Sequence, residues 1–195
     1  ERLLAAYRKG IFPWYQEGQP ILWWSPDPRA VLWLDGLKVS RSLRRSLTKR
    51  RFELRVDTAF ELVVAACAEP RDYGGGTWIT DDMAEAYIRL HRLGWAHSFE
   101  TWQDEKLVGG LYGVTIAGVF FGESMFTRVP DAWKVALVHA VEFLRSRGVQ
   151  LIDCQVASAH THSLGAIDMP RAEFLSRIAD LCGESAQPQT WRSAG

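Results

Sequence analysis

The stretch that decides the fold is AHSFETWQDEKLVGGLYGVTIAGVFFGESMFTR, residues 96–128. Three short segments within it are rich in β-branched and aromatic residues and are separated by turn residues: 96–103, 106–116 and 119–128. This pattern predicts three consecutive antiparallel strands. A predicted helix at 131–148 and a predicted strand at 149–156 follow. Strands, one long helix and another strand favour an α+β domain with a single, mostly antiparallel sheet and flanking helices.

The composition is that of an ordinary globular protein. The chain has 195 residues, of which 47% are hydrophobic and 24% charged, with 23 basic residues against 23 acidic ones. Zero net charge excludes a global attraction to nucleic acid but leaves room for a local basic patch. The longest uncharged stretch, residues 107–122, is too short and glycine-rich to span a bilayer. Three widely spaced cysteines and the absence of a signal peptide predict reduced thiols and a cytoplasmic protein.

Upstream of the sheet, the sequence predicts a change in organisation. Residues 1–10 have the pattern of a helix that ends at Gly10, whereas residues 11–29 contain four prolines and predict extended, irregular chain. We therefore predict a small N-terminal domain over residues 1–28 and a main domain over residues 29–195. Capping residues predict further helices at 40–51, 57–68, 80–94 and 170–181.

The strand VQLIDCQV, residues 149–156, carries the first candidate chemistry. Alternation places Asp153 and Gln155 on one face of the strand, and Ile152, Cys154 and Val156 on the other. A polar face of this kind fits either a solvated sheet edge or a functional pair, and the segment alone leaves both open. Cys154 on the apolar face is interpreted as a packing residue rather than a nucleophile.

Glu123, in the segment VFFGESMFTR, is the second candidate. Burying a carboxylate among apolar residues without a partner costs several kcal/mol, so Glu123 is paired, exposed or functional. No CxxC or HExxH pattern occurs, and no metal site is expected.

Basic residues concentrate in the segment 38–55, which contains a single acid, Glu53. Such a run fits either a solvated surface or a contact with a phosphate backbone. The residues that would make such a nucleic-acid contact are Lys38, Arg41, Arg44, Arg45, Lys49, Arg50 and Arg51.

Five short motifs occur along the chain in a fixed order. They are AYRKGIFPWY (6–15), PILWWSPDPRAVL (20–32), GTWIT (76–80), FFGESMF (120–126) and LIDCQV (151–156). Together they resemble the leucyl/phenylalanyl-tRNA–protein transferase family. The resemblance implies an acyl-CoA N-acyltransferase-like (GNAT-like) catalytic domain, preceded by a partly represented N-terminal domain. It also implies transfer of Leu or Phe from aminoacyl-tRNA to proteins that begin with Arg or Lys, marking them for N-degron proteolysis. It implies an enzyme that uses no metal, nucleotide or coenzyme, and we expect a monomer.

The resemblance also assigns roles to individual residues. It implies catalytic roles for Asp153 and Gln155. Because a neutral amide is too weak a base to keep a proton, we interpret the Gln155 carbonyl as orienting the attacking amine, and Asp153 as fixing the side-chain amide and offsetting developing positive charge. Glu123 would hold an amino group of donor or acceptor. The residues implied to contact the terminal adenosine or the donor side chain are Trp14, Trp78, Leu111, Phe120 and Met125. Trp133 stands where the family commonly has a small residue, and both a pocket position and packing beneath the helix stay open for it.

Two other functions compete with this interpretation. An acyl-CoA-dependent N-acyltransferase would share the fold, but such enzymes bind pyrophosphate with a glycine-rich loop before the long helix. Residues 127–132 contain no glycine and place Asp131 at that point. A non-catalytic RNA-binding module would explain the basic segment, but it would leave Asp153, Gln155 and Glu123 without a role.

Overall fold

The strands and helices follow the order expected for an α+β domain. The computed structural model describes residues 1–49, 51–69, 79–183 and 186–191. In these residues the strands are β1 (Phe12–Pro13), β2 (Trp23–Trp24), β3 (Arg29–Trp33), β4 (Glu53–Val56), β5 (Ala96–Gln103), β6 (Lys106–Ile116), β7 (Val119–Thr127), β8 (Leu151–Gln155) and β9 (Ile167–Met169). The helices are α1 (Arg2–Arg8), α2 (Arg41–Thr48), α3 (Phe60–Ala68), α4 (Asp81–Arg92), α5 (Ala132–Ser146), α6 (Ala159–Ser163) and α7 (Arg171–Cys182).

One sheet of seven strands, counted over the described residues, organises the molecule in the order β4-β5-β6-β7-β8-β3-β9. The predicted β5-β6-β7 meander is confirmed, and the other neighbours also pair antiparallel except β7 and β8. These two strands are parallel because α5 crosses between them. Their pairing ends at Phe121 and Asp153, although both strands continue. The sheet therefore opens between the carboxyl ends of β7 and β8.

Apolar residues cover both faces of this sheet. On one face, side chains from α1, α3, α4 and α7, including Tyr87 and Phe174, pack on strand residues such as Phe121. On the other face α5 packs against β5, β6 and β8. Helix α2 lies on the outer side of α5, where Leu43 meets Val138. The site residues of β8 therefore lie inside a three-layer structure.

Side-chain caps explain where helices α2 and α4 begin. The hydroxyl oxygen of Ser40 accepts from the Leu43 backbone N–H at 3.2 Å, and that of Thr80 accepts from Met83 at 3.3 Å, as predicted. The expectation that Asp57 starts a helix is wrong, because α3 begins only at Phe60. The Asp57 carboxylate is used elsewhere: it accepts from the Ser98 backbone N–H at 2.8 Å and so fastens the chain to β5.

The N-terminal segment contributes to the same core as the sheet. The predicted helix end is observed, with Gly10 in the left-handed region at φ 67° just after α1. Tyr7, Phe12 and Tyr15 belong to the apolar cluster on the first face of the sheet, while β1 and β2 form a separate two-stranded ladder. The division at residue 28 stays a prediction. None of the helices in the described part of the chain combines the length and apolar character needed to cross a bilayer.

Candidate active site

A pocket of about 120 Å³ occupies the opening between β7 and β8. That is the order of size of a cavity that accommodates a benzene ring. It brings together four of the predicted pocket residues and all three predicted catalytic residues: Leu111, Phe120, Met125, Trp133, Glu123, Asp153 and Gln155. Leu32, Leu137, Ile152 and Leu164 complete much of its apolar wall. The pocket therefore combines an apolar interior with a polar end.

Glu123 reaches the polar end through an irregularity in β7. Tyr112 pairs with Ser124 and Gly113 pairs with Gly122, so Glu123 is an extra residue in its strand. A β-bulge of this kind re-aims a side chain, and bulges are common next to active sites. Here it leaves a buried carboxylate beside the pocket.

Three donors hold the Glu123 carboxylate. The Tyr7 hydroxyl donates at 2.7 Å, the Gln155 side-chain amide donates at 2.8 Å, and the Tyr87 hydroxyl donates to the second oxygen. Burial raises the pKa of Glu123 to about 7, the charge of Asp153 acts in the same direction, and the hydrogen bonds oppose the rise. A carboxylate has about four acceptor sites, so one remains for a donor in the pocket.

Asp153 is fully buried, which excludes the solvated-edge interpretation, since β8 lies between β7 and β3. Its counter-ion is Arg29, whose Nε donates to Oδ1 at 2.8 Å and whose Nη2 donates to Oδ2 at 2.7 Å. Asp153 therefore has a permanent partner inside the protein and does not present a free charge to the pocket.

Gln155 adopts a left-handed backbone conformation, with φ 63°. For a residue with a Cβ this conformation costs on the order of 1–3 kcal/mol. The Gln155 backbone N–H donates to Asp153 Oδ1 at 2.9 Å, while its side-chain amide goes to Glu123. The expectation that Asp153 fixes the side-chain amide is therefore wrong, and Glu123 does so instead. No described residue donates to the side-chain carbonyl of Gln155, which is left available.

Cys154 and Trp133 lie on the apolar side of the pocket. Cys154 is half-buried and packs with the α5 face of the core. Burial raises the pKa of its thiol to about 12, and the charge of Asp153 adds to the rise. Trp133 is 8% exposed and its ring lies 4.8 Å from that of His160. Cys154 and Trp133 both line the pocket, so the structure gives Trp133 a pocket position.

Neither of the two residues predicted to contact the adenosine, Trp14 and Trp78, is among the described residues that line the pocket. Trp14 does not line the pocket; it lies on the β1–β2 hairpin, 42% exposed, with its ring 5.8 Å from that of Trp24. Trp78 lies outside the described residues. The assignment of both residues to the adenosine stays a prediction.

The basic segment forms an exposed surface on and around α2. None of its described members forms an ion pair with a described acidic residue, which leaves their charges free for a polyanion. These members are Lys38, Arg41, Arg44, Arg45, Lys49 and Arg51. Arg50 lies outside the described residues.

A second group of titratable side chains lies away from the pocket. Asp57, His91 and His97 place potential ligand atoms within 4.8 Å of one another. These atoms already have internal partners: His91 Nδ1 donates to the Ala96 carbonyl at 2.8 Å, and His97 Nδ1 pairs with Asp57 at 2.7 Å. The arrangement fits a structural role in attaching β5 to the chain before α3.

The chain is similar to proteins of one family over most of its length. The family model for leucyl/phenylalanyl-tRNA protein transferase matches residues 31–179, and the model for its N-terminal domain matches residues 1–27. The chain belongs to this transferase family.

Relatives bearing the family name are similar along nearly the whole chain. The protein from Aromatoleum aromaticum is 60% identical over 189 residues, 97% of this chain and 80% of its own length. Those from Methylococcus capsulatus and Pseudomonas putida are 54% and 59% identical, covering 99% and 92% of this chain and 82% and 79% of theirs.

Two solved structures are similar in fold to this transferase-family chain at low sequence identity. L-PGS from Bacillus licheniformis aligns with a TM-score of 0.50 at 10% identity, over 82% of this chain and 66% of that one. A GCN5-related N-acetyltransferase from Kribbella flavida aligns with a TM-score of 0.48 at 12% identity, over 83% of this chain and 57% of that one. The predicted α+β class, with a mostly antiparallel sheet and flanking helices, is confirmed by the topology of the described residues.

Sequence reasoning missed the residues that support the site of this transferase-family member. Tyr7, Tyr87 and Arg29 contact Glu123 or Asp153 from three distant segments. Tyr7 and Arg29 lie within motifs that carry the family resemblance, which was the available signal. Their partners could not be read from spacing, because the contacts are made only when α1, α4 and β3 pack around β7 and β8.

Proposed function

We propose that this protein transfers a leucyl or phenylalanyl group from tRNA to the α-amine of proteins that begin with Arg or Lys. The observation that carries the proposal is the pocket between β7 and β8, in which an apolar cavity the size of one side chain ends at Glu123 and Gln155. Membership of the transferase family supports the same reaction. The product would carry a destabilising N-terminus for N-degron proteolysis.

The reaction needs positioning more than activation. An aminoacyl ester is already activated: the amine nitrogen attacks its carbonyl, a C–N bond forms, and the ester C–O bond to the ribose breaks. The ribose hydroxyl leaves with the proton that the amine loses. An α-amine has a pKa near 8, so about a tenth of it is neutral at pH 7 without a strong base. Orientation of the two reactants can supply much of the acceleration.

Gln155 is proposed to orient the attacking amine. Its Nε2 is fixed to Glu123 Oε1 at 2.8 Å, which turns the carbonyl oxygen of the same amide away from Glu123. That oxygen can accept an N–H of the incoming amine. A neutral amide is too weak a base to keep a proton, so its role is geometric.

Glu123 is proposed to bind an amino group of donor or acceptor through its remaining acceptor site. A positively charged amine beside the carboxylate would favour the ionised form and lower its pKa from about 7. Asp153 is proposed to take part through the backbone of Gln155, since its own oxygens are already bonded to Arg29.

The tRNA is proposed to lie along the exposed basic residues of α2, where Lys and Arg can neutralise phosphates. The exposed rings of Trp14 and Trp24 offer flat faces for unpaired bases of the tRNA end. The preference for acceptors with Arg or Lys follows from the family resemblance, and a monomeric state and a cytoplasmic location belong to the same proposal.

The loop before α5 argues against the acyl-CoA alternative. The Asp131 carboxylate lies beside the N-terminus of α5, where it accepts from the Ser46 hydroxyl at 2.9 Å and from Lys134 Nζ at 3.4 Å. A negative charge at this point repels a pyrophosphate, which the start of such a helix would otherwise bind.

A transfer assay tests the proposal. The protein is mixed with radiolabelled Leu-tRNA or Phe-tRNA and a peptide beginning with Arg, and parallel reactions contain acetyl-CoA as donor. We expect transfer from tRNA only, loss of transfer in Gln155→Ala, and normal transfer in Gln150→Ala, a glutamine exposed outside the pocket. Transfer from acetyl-CoA, or none from charged tRNA, would contradict the proposal.

A further inference from the structure

Arg29 is buried at 1% exposure, and each part of its guanidinium group has a partner. Two nitrogens bind the two oxygens of Asp153, and Nη1 donates to the Gly10 carbonyl at 3.1 Å. The rings of Phe12 and Phe174 lie on the group at 4.7 and 4.6 Å from their centres. The guanidinium is therefore fixed in position and orientation.

A chain of hydrogen bonds leads from Arg29 to the pocket. Asp153 Oδ1, which receives Arg29 Nε, also receives the backbone N–H of Gln155 at 2.9 Å. Gln155 holds a left-handed conformation opposite Ala30, and the register there is irregular because Cys154 is an extra residue in β8. The side-chain amide of Gln155 then reaches Glu123. The Asp153 carboxylate thus connects Arg29 to the backbone of Gln155.

We propose that Arg29 is a positioning residue for the transfer reaction, acting through Asp153 on the backbone of Gln155. The inference rests on the proposed function, because it concerns the same pocket. Arg29 is not among the described residues that line the pocket, so it acts without touching a substrate. A guanidinium that makes a bidentate hydrogen bond holds both oxygens of a carboxylate in one plane, whereas a lysine ammonium provides charge without this geometry.

Arg29→Lys separates geometry from charge. It keeps a positive charge beside Asp153, so we expect the melting temperature to stay within a few degrees of wild type. We expect kcat with charged tRNA to fall at least tenfold and KM to change less than twofold, since the pocket walls are intact. The matched control is Arg171→Lys, whose side chain binds the Ser25 carbonyl at 2.9 Å and does not contact Asp153. It should leave kcat unchanged.

A double-mutant cycle tests whether Arg29 acts through Gln155. In a Gln155→Ala background, Arg29→Lys should lower the residual rate less than twofold, because its target is already absent. A further tenfold loss in that background would overturn the proposal. So would a kcat of Arg29→Lys equal to wild type.

A measurement independent of transfer separates this inference from the proposed function. In ¹⁵N-labelled protein, Arg29→Lys should move the backbone and side-chain amide resonances of Gln155, and Arg171→Lys should not. If these resonances stay in place, the inference fails even when wild type transfers Leu or Phe. If they move while wild type shows no transfer, the proposed function fails and the coupling between Arg29 and Gln155 stands.

A second variant covers the case in which Arg29→Lys does not fold. The combined change Arg29→Met with Asp153→Asn removes both buried charges at similar volume, which buried ion pairs often tolerate. We expect a folded protein with displaced Gln155 resonances and at least tenfold slower transfer. Wild-type resonances and wild-type turnover in this variant would refute the proposal.

Discussion

Replacing Glu123 by Gln should remove a specific part of the pH dependence of stability. Burial raises the pKa of Glu123 from the usual 4.5 to about 7 in the folded protein, with the charge of Asp153 contributing. The folded state therefore keeps its proton between pH 4.5 and 7, whereas the unfolded chain releases it. The corresponding stabilisation is fully present below pH 4.5 and is lost as the pH rises through 7. A shift of this size corresponds to about 3 kcal/mol of unfolding free energy.

Glutamine is suited to the test because its size is similar and it cannot ionise. Its carbonyl oxygen can accept from the Tyr7 and Tyr87 hydroxyls, and the Gln155 amide can turn to accept from its NH₂ group. Urea unfolding of wild type and Glu123→Gln is measured at pH 5, 6, 7 and 8, and the free energies are subtracted at each pH. Other titrating groups are common to both proteins and cancel in the difference.

Wild type should lose about 2.5 kcal/mol more than Glu123→Gln between pH 5 and pH 8, slightly less than the full value because the unfolded carboxyl is already partly ionised at pH 5. The control is Glu142→Gln, an exposed position on α5, whose pH dependence should follow wild type. If wild type and Glu123→Gln give parallel curves, Glu123 is not a buried charge with a raised pKa, and its placement at the end of the pocket is refuted.

Three further substitutions test other parts of the site. Trp133→Ser should cost about 3 kcal/mol of stability, because a buried ring is lost. It should also enlarge the pocket and shift the ratio of transfer rates from Leu toward Phe. An unchanged ratio would contradict the pocket role. Cys154→Ala should keep turnover near wild type, because a thiol with a pKa of about 12 is not a nucleophile at neutral pH. A folded but inactive variant would instead indicate that the thiol acts as a nucleophile. A triple alanine variant of exposed α2 residues should weaken charged tRNA binding and reduce its slope against log salt by about two, while turnover of an aminoacyl-adenosine donor stays constant; equal loss with both donors would show a structural role. The residues changed are Arg41, Arg44 and Arg45.

Local pattern was sufficient for most secondary structure and for the candidate residues. The meander at 96–128 follows from β-branched and aromatic residues between turns, and Ser40 and Thr80 cap the helices that they were predicted to start. These features depend on neighbours in the chain, which is why the sequence reveals them. Asp57 shows the limit: its carboxylate bonds to Ser98, 41 residues away, and the helix begins three residues later than predicted.

The sequence by itself singled out the candidate side chains: Glu123, Asp153 and Gln155 stood out as polar residues in apolar strands. Only the tertiary structure decided how they work together. Asp153 is neutralised by Arg29, 124 residues earlier, and Glu123 is held by Tyr7, 116 residues earlier. The bulges that aim Glu123 and Gln155 depend on the register of neighbouring strands. Hydrogen bonds and ion pairs act over a few ångströms in space, and sequence spacing carries no record of that distance until the chain has folded.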